Sequence, residues 1–144
     1  DYAREIVEPL SREAVDDRLR FVPLVGVSEL MGLFNLADVC VYPGESSLSC
    51  LEAAACARPV IVTDLPAGKS RATAGLVQCY RTGNVSDLRQ RLQQLLADGE
   101  ARESLGERAR SSVLNNLSYD LVASRSEAIM SDAVAAVHGV QVST

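Results

Sequence analysis

Two carboxylates, Glu45 and Glu52, bracket a short run of serines, and here residue types and spacing point most clearly to chemistry. The run reads Tyr42-Pro43-Gly44-Glu45-Ser46-Ser47-Leu48-Ser49-Cys50-Leu51-Glu52 and continues as Ala53-Ala54-Ala55-Cys56-Ala57-Arg58-Pro59-Val60-Ile61-Val62. Its order is strand, tight polar loop, helix, strand. In an open α/β sheet, ligands bind in the turn past a strand's carboxyl end. A small, serine-rich turn at a helix N-terminus exposes backbone N–H groups, and with the helix dipole these suit an anion such as a phosphate.

Local signals on either side must position this joint. Val39–Tyr42 is a short apolar run that Pro43-Gly44 ends, which reads as a strand. Leu48, Leu51, Ala55 and Cys56 fall three, four and one apart, so residues 48–57 are expected to form a helix with those four turned inward. Val60–Val62 opens after Pro59 and stops at Thr63-Asp64, a second strand signal. Upstream, Phe21–Val25 is expected to be a strand ended by Gly26. Ser28 is placed to cap a helix from Glu29 to about Asn35, with Glu29 in its first turn and Leu30, Met31, Leu33 and Phe34 inward.

Downstream, Asp64–Thr73 reads as a polar linker holding Pro66, Gly68, Lys69 and Arg71, and Leu76–Tyr80 as a fourth strand. Asn84 or Ser86 opens a helix with Leu88, Leu92, Leu95 and Leu96 on one face. Gly99 punctuates, and a second helix from Glu100 to about Val113 carries Leu105, Ala109 and Val113. Ser118 caps a last helix over about Tyr119–Val137, and Gly139–Thr144 is expected to fray. The opening residues carry a helical pattern (Ile6, Val7, Leu10) without a starting methionine, which reads as the interior of a domain.

Composition narrows the function classes. The chain has 144 residues, enough for one cored domain or a piece of one, and is 47% hydrophobic and 23% charged. Its formal net charge of −5 and lack of a basic cluster argue against nucleic acid as a partner. Lys69 is the only lysine beside thirteen arginines, a bias that genome base composition explains as well as phosphate recognition does. Cys40, Cys50, Cys56 and Cys79 show no C-x-x-C pairing and His138 is the only histidine, so no metal site is expected; the thiols read as reduced packing residues of a cytoplasmic protein. No apolar run approaches the ~18 residues of a membrane span.

Strands alternating with helices mean βαβ units and a parallel sheet, here of about four strands followed by helices without a strand between them. A complete doubly wound domain would carry more strands on its N-terminal side, so the expectation is a partial domain over 1–138 with a tail at 139–144.

The wording of these elements resembles the C-terminal, donor-binding domain of GT-B glycosyltransferases of the family 4 (group 1) type. The resemblance rests on Phe21–Gly26, Glu29-Leu30 to Phe34, Ala37-Asp38-Val39, Pro43-Gly44 and Glu52-Ala53-Ala54-Ala55-Cys56-Ala57-Arg58-Pro59-Val60-Ile61. Gly83-Asn84 to Leu88, Leu105-Gly106-Glu107-Arg108-Ala109-Arg110 and Leu117-Ser118-Tyr119 extend it, so that it spans about residues 20–130. It implies a partial Rossmann-like sheet and a retaining transfer of a sugar from a nucleotide-diphosphate donor, which this part of the protein binds. The donor is a substrate; no cofactor is implied. The partners implied are that nucleotide sugar, an N-terminal acceptor-binding domain of the same protein, and peripheral membrane association of the full-length protein as an open option.

Residue by residue, the second glutamate of the family's paired motif matches Glu52 and would accept hydrogen bonds from the ribose hydroxyls. Counting back to the first lands on Gly44, with Glu45 one place late. Ser46, Ser47, Leu48 and Ser49 match the stretch whose amides approach the sugar and diphosphate. Pro23, Leu24, Val25 and Gly26 could line a base pocket, and Lys69 and Arg71 could touch the diphosphate. Each has a plainer reading: a solvated helix glutamate, serine capping, a strand end, loop solvation. Arg89, Arg91, Arg102, Arg108 and Arg110 read as wet helix faces paired with Glu103 and Glu107. Ala57 stands where the family has glycine, strained by about 1 kcal/mol if that position needs positive φ. No catalytic residue is assignable. The alternative readings are a non-catalytic regulatory or interaction subunit that kept the fold, supported by Gly44, and a GT-B epimerase.

Overall fold

The computed structural model describes residues 18–44 and 47–140, with side chains through 137. Glu45, Ser46, the helical pattern around Ile6 and the last four residues lie outside the described residues. The chain divides into two units, Asp1–Leu30 and Met31–Thr144. In order, its elements are α1 (Val27–Leu36), β1 (Cys40–Tyr42), α2 (Ser49–Ala55), β2 (Val60–Thr63), α3 (Pro66–Thr73), β3 (Gln78–Tyr80), α4 (Val85–Ala97), α5 (Gly99–Asn116) and α6 (Tyr119–Val140).

Among the described residues three strands form one parallel sheet in the order β1-β2-β3, an α/β layering of the kind expected, with one strand fewer. The missing one is Phe21–Val25, which takes no strand conformation. Pro23 in its middle has no N–H to give a ladder, and Leu24 is fully exposed. The helix after it starts at Val27 rather than Glu29, with Leu30 N–H bonded to Gly26 O at 2.9 Å; Ser28 is therefore inside the helix and not its cap.

Val60, Ile61, Val62 and Thr63 are all buried, as a central strand covered on both faces requires. Alternation sends Ile61 to one face, where it clusters with Tyr80, Leu95 and Leu105, and Val39, Val41, Leu88 and Leu92 pack around them. Val62 points to the other face, toward Gly68 of α3. Leu96, expected inward, is 57% exposed.

The segment read as a linker is mostly helix. Pro66 occupies the first turn of α3, where its missing N–H costs nothing. Gly68 is buried so tightly that a Cβ there would lie 2.1 Å from the Thr63 carbonyl oxygen. Asn84 caps α4 through Asp87 N–H at 2.9 Å, settling the choice between Asn84 and Ser86. Asp98 closes α4 and caps α5 through Ala101 N–H at 2.9 Å, so Gly99 begins a helix instead of separating two. Helix α6 continues through Gly139, which was expected to fray.

Candidate functional site

The carboxyl ends of the three strands meet at one rim, because the parallel register pairs Tyr42 with Val62 and Thr63 with Tyr80. The turn after β1 is tied to this rim by side chains. Thr63 Oγ1 donates to the Gly44 carbonyl at 2.8 Å, and the Tyr80 hydroxyl donates to the Pro43 carbonyl at 3.3 Å. The Tyr42 hydroxyl donates to the Ser49 carbonyl at 2.9 Å. Arg71 crosses from α3, its Nη1 lying 3.1 Å from the Ser47 carbonyl and 3.1 Å from Cys50 Sγ. The Ser47 and Ser49 hydroxyls are 2.6 Å apart.

Glu52 lies in the first turn of α2 and is half-buried, neither in the interior nor fully in solvent. No side chain caps this helix: Leu48 is the N-cap residue, so the capping role expected of a serine is unfilled. The inward face of α2 also differs from expectation. Cys50, Ala53 and Ala54 are buried, whereas Leu48 is 73% exposed and Leu51, Ala55 and Cys56 are half-buried. A helix squeezed between sheet and α5 takes its smallest residues inward, because backbones must approach closely.

Burial at the rim disfavours the ionised forms of the Tyr42 phenol and the Cys50 thiol. Burial pushes the Tyr42 phenol above its ordinary value of 10.0 against the opposing Ser49 hydrogen bond, and nearby Cys40, Cys50 and Glu52 add to the rise. Burial likewise raises Cys50, which Arg71 opposes. Asp64 moves the other way: the Thr82 backbone N–H at 2.9 Å and hydroxyl at 2.7 Å hold its carboxyl below the ordinary 3.8. Lys69 lies 3.8 Å from Asp64. Such a rim can present charge and hydrogen bonds; it offers no neutral-pH nucleophile among these groups.

The candidates are thus partly assembled. Gly44, Ser47, Leu48, Ser49, Glu52 and Arg71 share the rim. Lys69, two residues from Arg71 on the same helix, turns instead to Asp64. Pro23–Gly26 belong to the first unit, and Glu45 and Ser46 are outside the described residues. Thr63, Tyr80 and Tyr42 went unnoticed in the sequence; the signal was a hydroxyl at the last position of each strand. Two clefts lie away from the rim. One of about 470 Å³ is lined by Ala74, Gly75, Glu107, Arg108, Ser111 and Ser112. The other, about 300 Å³, includes Asp38, Arg58, Arg102 and Glu103 at the opposite end of the strands.

Around that second cleft the arginines are structural. Arg102 lies 3.6 Å from Asp38 and donates to the Leu95 carbonyl at 2.9 Å, and Arg110 donates to the Ala55 carbonyl at the end of α2. These replace the expected pairing with Glu103 and Glu107. Arg58 Nε donates to the Cys56 carbonyl at 3.1 Å. Ala57 does adopt positive φ, at 56°, and a Cβ on Gly106 of α5 would lie 2.1 Å from the Ala57 carbonyl oxygen. All four cysteines are free. Among the described residues no group of three or more His, Cys, Asp or Glu could hold a metal ion, and no helix is long and apolar enough to cross a membrane.

The sequence matches the family described as glycosyl transferases group 1 over residues 2–98. The chain belongs to this family. Its fold is similar to that of sucrose-phosphate synthase from Thermosynechococcus elongatus, at 24% identity and a TM-score of 0.81, over 92% of this chain. The chain spans about a third, 34%, of the length of that protein. The likeness identifies the Rossmann-like layering as that of a GT-B domain. No curated protein matches the sequence.

Proposed function

We propose that this chain is the donor-binding part of a retaining glycosyltransferase that moves a hexosyl group from a nucleoside diphosphate sugar to an acceptor. Family membership supports the reaction class, and Arg71 carries the assignment of the site. Its guanidinium sits on the Ser47 carbonyl, at the joint that also bears Glu52. Glu52 accepts hydrogen bonds from the ribose hydroxyls, the amides of Ser46, Ser47, Leu48 and Ser49 face the sugar and diphosphate, and Arg71 stabilises diphosphate charge. Glu45 supplements this at the sugar and Lys69 at the diphosphate. Catalysis then consists of positioning and electrostatic stabilisation of the leaving diphosphate, with no catalytic base drawn from these residues. Transfer also requires an acceptor-binding domain, so these residues alone bind the donor without transferring its sugar. The setting is the cytoplasm, with peripheral attachment to a membrane where the acceptor is a lipid.

Isothermal titration of the protein with UDP and GDP tests this reading. Hydrogen bonds to a charged group are worth about 1.5–3 kcal/mol, so Glu52→Ala should weaken the nucleotide that binds at least about tenfold. Equal affinity in the variant removes Glu52 from the site.

One observation favours a second reading, a non-catalytic subunit that kept the fold. Among the described residues nothing lies within 4 Å of a Cβ built on Gly44, and its φ is not in the left-handed region. The backbone does not demand glycine where the family's first glutamate stands. Transfer activity of the full-length protein, with its acceptor-binding domain, would exclude this reading.

A further inference from the structure

We infer that Thr63 and Tyr80 are positioning residues for the donor turn: their hydroxyls, rather than packing, set where Pro43 and Gly44 stand as the chain leaves β1. The inference rests on the donor-binding reading and extends it to two residues that face the core.

The described residues of the turn bury no side chain, and Arg71 holds its far end at the Ser47 carbonyl, not the Pro43-Gly44 end. Pro43, Gly44, Ser47 and Leu48 are all exposed, and Leu48, the single large apolar side chain among them, is 73% exposed. A loop without buried side chains takes its position from hydrogen bonds to the scaffold beneath it. Two consecutive carbonyls, Pro43 and Gly44, each accept one from a side chain at the last residue of a neighbouring strand. Thr63 and Tyr80 are register partners, so their side chains leave the sheet on the same face. Their lengths match their tasks. Thr63, on the strand beside β1, reaches Gly44 with a short side chain at 2.8 Å. Tyr80, one strand further away by about 4.8 Å, needs the phenol to reach Pro43 at 3.3 Å.

Burial strengthens the argument. Thr63 is 1% exposed and Tyr80 5% exposed, and a hydroxyl held in the interior is costly unless it has a partner. Both partners chosen here are carbonyls of an exposed turn. Tyr42 adds a third tie, to the Ser49 carbonyl at 2.9 Å, at the start of α2. The core thereby holds the strand-to-helix joint by its carbonyls, and Glu52 is left half-buried beside it.

The test compares Thr63→Val, which keeps shape and loses the hydroxyl, with Thr63→Ser, which keeps the hydroxyl, and with Tyr80→Phe. Two readouts are taken on the whole protein: titration with UDP and GDP, and amide hydrogen exchange at Leu51 and Glu52 against that of β2. Loss of one such bond corresponds to about a three- to tenfold change. Thr63→Val should weaken nucleotide binding by that factor and speed exchange at Leu51 and Glu52, with β2 unchanged. Thr63→Ser should stay within about twofold of wild type, and Tyr80→Phe should fall between. Wild-type affinity and exchange in Thr63→Val overturn the inference, as does a Thr63→Ser variant as weak as Thr63→Val. Should the wild type bind neither nucleotide, the donor reading fails by itself. The exchange comparison then decides the inference: faster exchange in Thr63→Val sustains it, and unchanged exchange overturns it.

Discussion

Replacing Ala57 by glycine should stabilise the protein, although it deletes a methyl group and touches no ligand. Ala57 holds φ at 56°, the left-handed region, and is the only non-glycine residue among those described to do so. For a residue with a Cβ this conformation costs about 1–2 kcal/mol. Glycine removes that cost but makes the unfolded chain freer, which returns about 0.4–1 kcal/mol. The net gain is about 0.5–1 kcal/mol, which corresponds to a rise in melting temperature of roughly 2–4 °C for a chain of this size. The turn cannot relax to avoid the cost. Gly106 packs directly on the Ala57 carbonyl, and Arg58 N–H bonds back to the Ala53 carbonyl at 3.1 Å. A graded series sharpens the measurement by urea unfolding at constant m-value: glycine highest, asparagine next, alanine, then valine lowest. A glycine variant no more stable than wild type, or a valine variant equal to it, would refute the assignment of strain to this position.

Gly68→Ala should destabilise by about 1–3 kcal/mol in the same assay, since the new methyl collides with the Thr63 carbonyl and α3 must shift. The carboxyls of Asp64 and Asp87 sit below their ordinary 3.8, through backbone N–H bonds from Thr82 and Arg81 respectively. The unfolded chain therefore takes up their protons first as pH falls. Their contribution is complete above the ordinary carboxylate range and is lost as pH falls below 3.8 toward the lower native values, so urea midpoints of wild type and Asp64→Asn should differ at pH 6 and converge at acid pH. Among the described residues β1 and β3 are the outer strands of the sheet, so the chain expressed by itself should self-associate; a monodisperse monomer by light scattering would contradict this.

What could be read in advance follows from how loudly each contact is written in residue types. Val60–Val62 announces a doubly covered strand because burial on both faces needs apolar residues at every position. Asn84 announces a helix start because a side-chain oxygen must meet the Asp87 amide. Helices packed through small residues are quiet. The buried face of α2 is Cys50, Ala53 and Ala54, and α3 buries Gly68 alone, so neither shows a strong apolar period. One was read with the wrong face inward and the other as a linker. Phe21–Val25 errs in the opposite sense: its composition suits a strand, but Pro23 withholds a donor. At the site, Glu52 and Arg71 stood out as charged residues beside a turn. Thr63 and Tyr80 stayed hidden, since a hydroxyl at a strand end looks like any core-facing residue until the register shows what it reaches.

Asp98 is the whole of the corner between two helices: one extended residue is at once the C-cap of α4 and the N-cap of α5. That economy fixes the helical phase of everything after it. A single residue inserted within α5 between the Asp98 cap and Gly106 would turn Gly106 by about 100° away from the Ala57 peptide, putting a side chain into the gap. Length variation among natural variants of this chain should therefore avoid the stretch from Asp98 to Gly106.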